Sequence, residues 1–394
     1  MSASVILSGA RTPIGRLSGA LSPFRAFELG AIAIKEAILR AGISPSDVDS
    51  VILGHVLQAG QGQGSARQAA VAAGIPMSIP SLVINKVCLS GLQSIYLADL
   101  MIRAGEADIV VAGGMESMTN APYLLHGARN GLRFGNAHIL DAITSDGLTC
   151  AFEELAMGAA TEAYANRLGI SRREMDAFAM MSHRRAAEAT ASGRFSAEIA
   201  PVTVDPRRGD PIVVKLDEGI RSDSTSESLG ALAPAFTEGG CITAGNASQI
   251  SDGAAAVIIA SKEVAERLGV TPLGELVGYG QVAGPDPSLL TQPSRAIRAA
   301  LDRAGRTLAE IELFEINEAF AAVTIASMRD LEIEASLVNV NGGAIALGHP
   351  VGMSGTRLVI TLCIELARRG GGLGAVALCG GGGQGDAALL SVST

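Results

Sequence analysis

A chain of 394 residues, 48% hydrophobic and only 18% charged, is too long for one ordinary core and too apolar for a disordered protein, which points to a compact enzyme of two or more domain-sized units. Its formal charge of -9 speaks against general nucleic-acid binding and against an anionic membrane surface. Five cysteines, an odd number without a CxxC pair, speak against both a zinc site and a disulfide framework.

In chain order, the opening MSASVILSGARTP lacks a basic leader and has too short an apolar run for a signal peptide. No apolar stretch approaches the roughly 20 residues that span a bilayer, so a cytoplasmic protein without a membrane partner is expected. Phe27, Ala31, Ile34, Ile38 and Ala41 recur at spacings of four and three, predicting a helix with one buried stripe that closes on Gly42 as a left-handed cap. QAGQGQGSARQ at 58–68 is glycine-rich, but it is neither a GxxxxGK[ST] nor a GxGxxG in a strand–helix setting, so it is weak as a nucleotide motif. VINKVCLSGLQS places Cys88 between a strand-like run and a buried helix. A free thiol has a pKa of about 8.5, and the unpaired N–H groups of a helix start favour its thiolate. DIVVAGG, ending at Gly114, reads as a central strand.

From 121 to 245 this pattern fades. Pro201, Pro206, Gly209, Pro211 and the run SDSTSES at 222–228 read as an inserted, loop-rich unit. Within it, residues 121–140 hold Arg129, Arg133, His126 and His138 and no acidic residue, a candidate for steering an anionic ligand or for contacting another subunit. AAAVIIA at 254–260 and the helix after it complete the first half.

The rest of the chain repeats the beginning. AIRAALDRAGRTLAEIELFEI at 296–316 matches AIKEAILRAGISPSDVDSVIL at 33–53, and Ser354-Gly355 matches Ser90-Gly91 ahead of a second long apolar helix. The strand AVALCGGGG then matches DIVVAGG. Where the copies differ, chemistry shows. Cys379 stands for Ala112, Gly352 for Cys88 and His349 for Asn85. Ligands of α/β sheets bind beyond the carboxyl ends of strands, so one distinctive cysteine per half points to a composite site. His349 lies in a glycine-rich loop ahead of a proline, and Asn317 stands before a helix, where capping is its commoner role. The backbone N–H groups of CGGGG could face an oxyanion. Cys150, Cys241 and Cys363 read as packing residues.

The segments NKVCLSGLQS, NEAFA, GGAIALGHPVGMSGTR and CGGGGQG, in this order, with ARTPIG and GNASQISDGAAA, resemble the thiolases over essentially the whole chain, and among them the bacterial acetyl-CoA acetyltransferases. The resemblance implies an α/β duplicated thiolase fold: two pseudo-symmetric halves of layered helices and sheets with an inserted loop domain. The divisions are 1–120 (completed by about 246–270), 121–245 and 271–394. It implies a reversible Claisen condensation of two acetyl-CoA to acetoacetyl-CoA and CoA, or the reverse thiolysis, by a ping-pong route through an acyl-cysteine at Cys88. By resemblance Cys379 is the acid/base, His349 activates Cys88 and polarises the second thioester, Asn317 holds a water beside it, and Gly381 shares an oxyanion hole with Cys88. Coenzyme A contacts fall on Arg221, Ala244, Ser248, Met157 and Phe320. Coenzyme A is substrate and product; no cofactor or metal is implied, and the partners are acyl-CoA, CoA and three further copies in a homotetramer. The alternatives are a broader-chain 3-ketoacyl-CoA thiolase of fatty-acid degradation, a ketosynthase-like condensing enzyme, and a non-catalytic acyl-CoA-binding subunit. Two departures bear on acyl specificity: Ala156, where short-chain enzymes usually have His, points to a looser preference for short acyl groups, whereas Leu89, where Ala or Ser is usual, would refill the space.

Overall fold

The computed structural model describes residues 4–205 and 209–393; Pro206 and the first three residues of the opening segment lie outside them. Strand β1 (Ser4–Arg11) is buried along its whole length and shows no polar–apolar alternation, as a strand covered on both faces should. After the two-residue β2 (Gly15–Arg16), helix α1 (Ala26–Ala41) buries Ala31, Ile34, Ile38 and Ala41 and ends at Gly42, whose φ of 67° is the left-handed cap. Then come β3 (Ser50–Gly54), α2 (Ser65–Ala72), β4 (Ser81–Ile84), α3 (Ser90–Ala104) and β5 (Ile109–Ser117).

The insertion opens with the paired β6 (Tyr123–Leu124) and β7 (Leu140–Asp141), which flank a protruding loop. It continues through α4 (Met157–Arg167), α5 (Arg172–Ala191), the hairpin β8 (Val202–Val204) and β9 (Ile212–Val214), and α6 (Ser226–Gly230). A loop-rich reading understates this region, because α5 has 20 residues. Its signal is in the sequence: Ser171 and Glu174 form a capping box, and Met175, Phe178, Ala179, Ser182, Ala186 and Ala189 lie buried at helical spacing.

β10 (Ser251–Ser261) returns to the first half between β1 and β5, antiparallel to both, and α7 (Lys262–Leu268) follows. The second half then repeats the plan with β11 (Gly274–Ala283), α8 (Gln292–Ala304), β12 (Leu313–Ile316), α9 (Ala321–Leu331), α10 (Ala344–Leu347), α11 (Ser354–Arg369), β13 (Gly372–Gly380) and β14 (Gln384–Val392). One sheet results, in the order β12-β13-β14-β11-β1-β10-β5-β3-β4, with the halves joined edge to edge where Val5 and Ile6 pair with Glu275 and Gly274. The order reads the same outward from that seam, apart from β4. At its counterpart position Val338 makes a single parallel bridge to Phe314.

Strand side chains of alternate parity serve different layers. Val110, Ala112, Val257, Val376 and Leu390 meet α3 and α11 in one shared core. Val111, Ala256 and Ile258 face α1 and α2, and Ala375, Ala377 and Leu389 face α8. The central helices are thus enclosed by both halves. The stretch Val87–Ala104 is long and apolar enough to cross a membrane, which the search for apolar runs missed. Here its residues from Ser90 on form α3, packed against β3, β5 and α11.

Candidate active site

The turns at the ends of the central helices converge on one cavity of about 830 Å³. Its wall holds Cys88, His349, Cys379 and Gly381, and also Arg221, Ala244, Ser248, Met157 and Phe320. Asn317 stands behind His349 rather than in the wall.

Cys88 sits on a turn two residues ahead of α3, preceded by Val87 at φ 52°, a left-handed conformation that a β-branched residue adopts only under constraint. The constraint is local: Val87 N donates to Asn85 Oδ1 (2.9 Å), while Ser90 Oγ donates to Val87 O (2.6 Å) and accepts from Lys86 N (2.8 Å). The expected thiolate is not the resting state. Burial pushes the Cys88 thiol up to about 11 and the charge of Glu116 adds to this, although the backbone N–H groups of Cys88 and Gly381 pull the other way. Desolvation outweighs the helix start because α3 begins only at Ser90.

A protonated nucleophile needs a base, and His349 has the form of one. Its Nδ1 lies 2.6 Å from Ser354 Oγ, and that hydroxyl donates to Pro350 O at 2.9 Å. The hydroxyl hydrogen being committed, Nδ1 carries the ring proton and Nε2 the lone pair. Asn317 Nδ2 lies 3.3 Å from Nε2 and donates to it. Burial, with the charge of Arg357, lowers His349 to about 4, so it is neutral at physiological pH, and a proton arriving at Nε2 would displace the long Asn317 contact. Gly348, at φ 111°, makes this loop possible, since a side chain there would run into Ser251.

Asn317 is not the cap of α9, whose first residue is Ala321 and whose N-cap is Phe320. It is fully buried, and its Oδ1 has no hydrogen-bond partner, the only such atom among the residues already singled out. Cys379 lies near the end of β13, opposite Gly385 of β14, and its thiol is raised first by burial and then by the charge of Cys88. Gly381 follows in the turn, with Val87 of the other half 3.5 Å from where its side chain would begin.

Several participants escaped the sequence reading. Glu318, beside Asn317, accepts from Ser182 Oγ (2.6 Å), Asn339 Nδ2 (2.8 Å) and Ile345 N (3.1 Å), tying α5 and the His349 segment to the Asn317 turn. Glu116 accepts from Val56 N, Leu57 N and Gly352 N at 2.9–3.1 Å and is raised by burial to about 7. His183 Nδ1 accepts from Arg221 N at 3.1 Å and so fixes the backbone at the cavity rim. Phe236 lines the wall edge-on to Phe320. Its place inside the NEAFA segment could have singled out Glu318; nothing local marks the others.

Two expectations need correction. Leu89 does not refill the acyl pocket: it is wholly buried in the shared core against Gly380, outside the wall. Ala156 is also outside the wall, exposed at the N-cap of α4 while Met157 turns inward, so its small size does not itself enlarge the cavity. Arg129, Arg133, His126 and His138 lie on the exposed loop between β6 and β7, and none lines the cavity.

Residues 4–263 match the thiolase N-terminal domain and residues 270–392 the thiolase C-terminal domain. The chain belongs to the thiolase family. This thiolase is 54% identical over 390 residues to a protein of Mycobacterium leprae named "Probable acetyl-CoA acetyltransferase", covering 99% of each chain. It is 46% identical to the "Acetyl-CoA acetyltransferase" of Pseudomonas aeruginosa over 98% of each. Its fold superposes on the crystal structure of the Bacillus anthracis acetyl-CoA acetyltransferase with a TM-score of 0.96, at 39% identity over 99% of each chain. Among the described residues of the thiolase no group of three or more His, Cys, Asp or Glu side chains could hold a metal ion.

Proposed function

We propose that this thiolase is an acetyl-CoA C-acetyltransferase that condenses two acetyl-CoA reversibly to acetoacetyl-CoA and CoA. The observation that carries the reading is the meeting of two cysteines, one from each half, with a neutral histidine in one cavity. In the synthetic direction His349 Nε2 takes the Cys88 proton as the sulfur attacks the thioester carbon of the first acetyl-CoA. The N–H groups of Cys88 and Gly381 steady the oxyanion, and the departing CoA sulfur takes the proton of Cys379. The Cys379 thiolate then removes a methyl proton from the second acetyl-CoA, whose enolate oxygen faces the imidazolium Nε2–H and a water held at the unpaired Oδ1 of Asn317. The carbanion attacks the acetyl group on Cys88, the C–S bond breaks, and His349 returns its proton to Cys88. Splitting the condensation in this way replaces one difficult step by two easier transfers.

Coenzyme A enters past Arg221, with Ala244, Ser248, Met157 and Phe320 along its pantetheine arm, which their place in the cavity wall supports. No further cofactor or metal takes part. We further propose a cytoplasmic homotetramer acting in fatty acid metabolism. Leu132, Phe134 and Ile139 stand exposed on the loop between β6 and β7, and contact with further copies would cover them.

Initial-rate measurements of thiolysis with acetoacetyl-CoA and CoA test the proposal. Parallel double-reciprocal lines and an acetyl adduct on Cys88 by intact-protein mass spectrometry are the expected result. Intersecting lines without an adduct would overturn it in favour of a binding subunit, and equal efficiency with 3-ketohexanoyl-CoA would make the enzyme a broader-chain thiolase.

A further inference from the structure

Two residues ahead of the nucleophile, Lys86 reaches from one half of the molecule into the other. Its Nζ donates to both carboxylate oxygens of Asp386 at 2.8 Å and to Gln93 Oε1 at 2.9 Å. Asp386 is fully buried on β14, opposite Leu378 of β13, and its neighbour Gly385 lies opposite Cys379. The same carboxylate accepts from Tyr279 OH at 2.9 Å, and the Tyr279 ring stacks flat on Tyr96 of α3, with centroids 4.0 Å apart and planes 4° from parallel. The ion pair therefore joins the segment before Cys88 to the strand beside Cys379.

That junction falls where the backbone resists. Val87, between Lys86 and Cys88, is held at φ 52°, and its side chain lies against Gly381 of the opposite half. A strained turn relaxes unless both sides are fixed. Helix α3 fixes the side after Cys88; ahead of it Asn85 holds the backbone N–H of Val87 and Ser90 Oγ that of Lys86, all within the same half. The Lys86 side chain adds what these local ties lack, an anchor in the opposite half beside Cys379. Plain packing would be served as well by an uncharged pair, whereas burying a carboxylate is justified when its partner must take one position.

We infer that the Lys86–Asp386 ion pair is the strut that sets the spacing between Cys88 and Cys379, which makes both its members positioning residues of the acetyl transfer. Neither lines the cavity, so they act through the two thiols rather than on substrate. The inference rests on the proposed partnership of the two cysteines, but spacing can be read without turnover.

A bifunctional bromobimane, which fluoresces once both ends have alkylated thiols, should link Cys88 to Cys379 in the unmodified protein and fail to do so in Cys379→Ser. Lys86→Met and Asp386→Asn should lower that cross-link on the order of ten-fold, the scale set by small misplacements of reacting groups. Single alkylation of Cys88 by iodoacetamide should change far less, and Lys86→Arg should restore much of the cross-link. Should Asp386→Asn fail to fold, Lys86→Met removes the more exposed end of the strut and reports alone. An undiminished cross-link in these variants, in an active enzyme, would overturn the strut and leave the proposed function standing. A cross-link that depends on the pair in a protein unable to transfer acetyl would do the reverse, and no cross-link in the unmodified protein would overturn both.

Discussion

The two halves share one plan but assign its corresponding positions to different work. At the turn before the central helix the first half carries Cys88, and the second carries Gly352. Cys88 faces the cavity, whereas Gly352 is pressed into the first half. A methyl group on Gly114 would overlap the Gly352 carbonyl oxygen, and one on Gly54 or Gly91 would come within 2.6 and 2.9 Å of it. Glu116 holds the Gly352 N–H at 2.9 Å. So the second turn is the fitted part, and it delivers His349; the first turn is the strained part, and it delivers the nucleophile. A duplicated fold has gained a site by letting one copy's turn become the other's support.

The sharpest way to break that comparison is at the two cysteines. Cys88→Ala should abolish the acetyl adduct and lower turnover by at least about 10⁴-fold, as loss of a covalent nucleophile does. Cys379→Ser should lower condensation by about 10²–10⁴-fold while an acetyl adduct on Cys88 still forms. Intact-protein mass spectrometry with acetyl-CoA separates the two, and an unacylated Cys379→Ser enzyme would sink the division of labour.

The fitted turn answers to stability instead. Gly114→Ala meets backbone with no flexible end to yield, and the usual cost of overpacking is about 1–3 kcal/mol. Urea denaturation of the variant should show at least that loss; an unchanged midpoint would mean that Gly352 is not gripped.

The strained turn answers to pH. With its thiol raised to about 11, Cys88 in the unliganded enzyme should be alkylated by iodoacetamide at a rate that keeps rising past pH 9, where an ordinary thiol is already largely ionised. A plateau below that value would show the N–H groups prevailing over burial. Acetyl-CoA should protect, because Cys88 lines the cavity and the buried Cys150 and Cys363 do not.

The smallest effect is expected far from either turn. If the exposed loop steers the anionic coenzyme, neutralising Arg129 and Arg133 raises its KM a few-fold at low salt and not at high salt, about the range of a pair of exposed charges. A KM unchanged at every ionic strength would leave the loop to subunit contact.

Periodicity and repetition carried the fold a long way. Helix stripes such as Ile34 and Ile38, the caps at Gly42 and Gly305, and the paired strands all follow from local rules, because a helix or strand declares its buried face through spacing. Aligning the copies was enough to isolate Cys88, Cys379 and His349, because positions under a common structural demand should agree unless something else acts on them. Charge state was not legible. The Cys88 thiol and the His349 imidazole owe their protonation to desolvation by distant segments, and the partners Asn317 and Glu116 reach them by folding rather than by sequence proximity. The same holds for the burial of Leu89 against Gly380 of the other half and for the exposure of Ala156. Sequence determined the elements and the reactive residue types, since these depend on neighbours along the chain; only the tertiary structure decided desolvation, tautomer and spacing, since these depend on atoms that the chain brings together from its two ends.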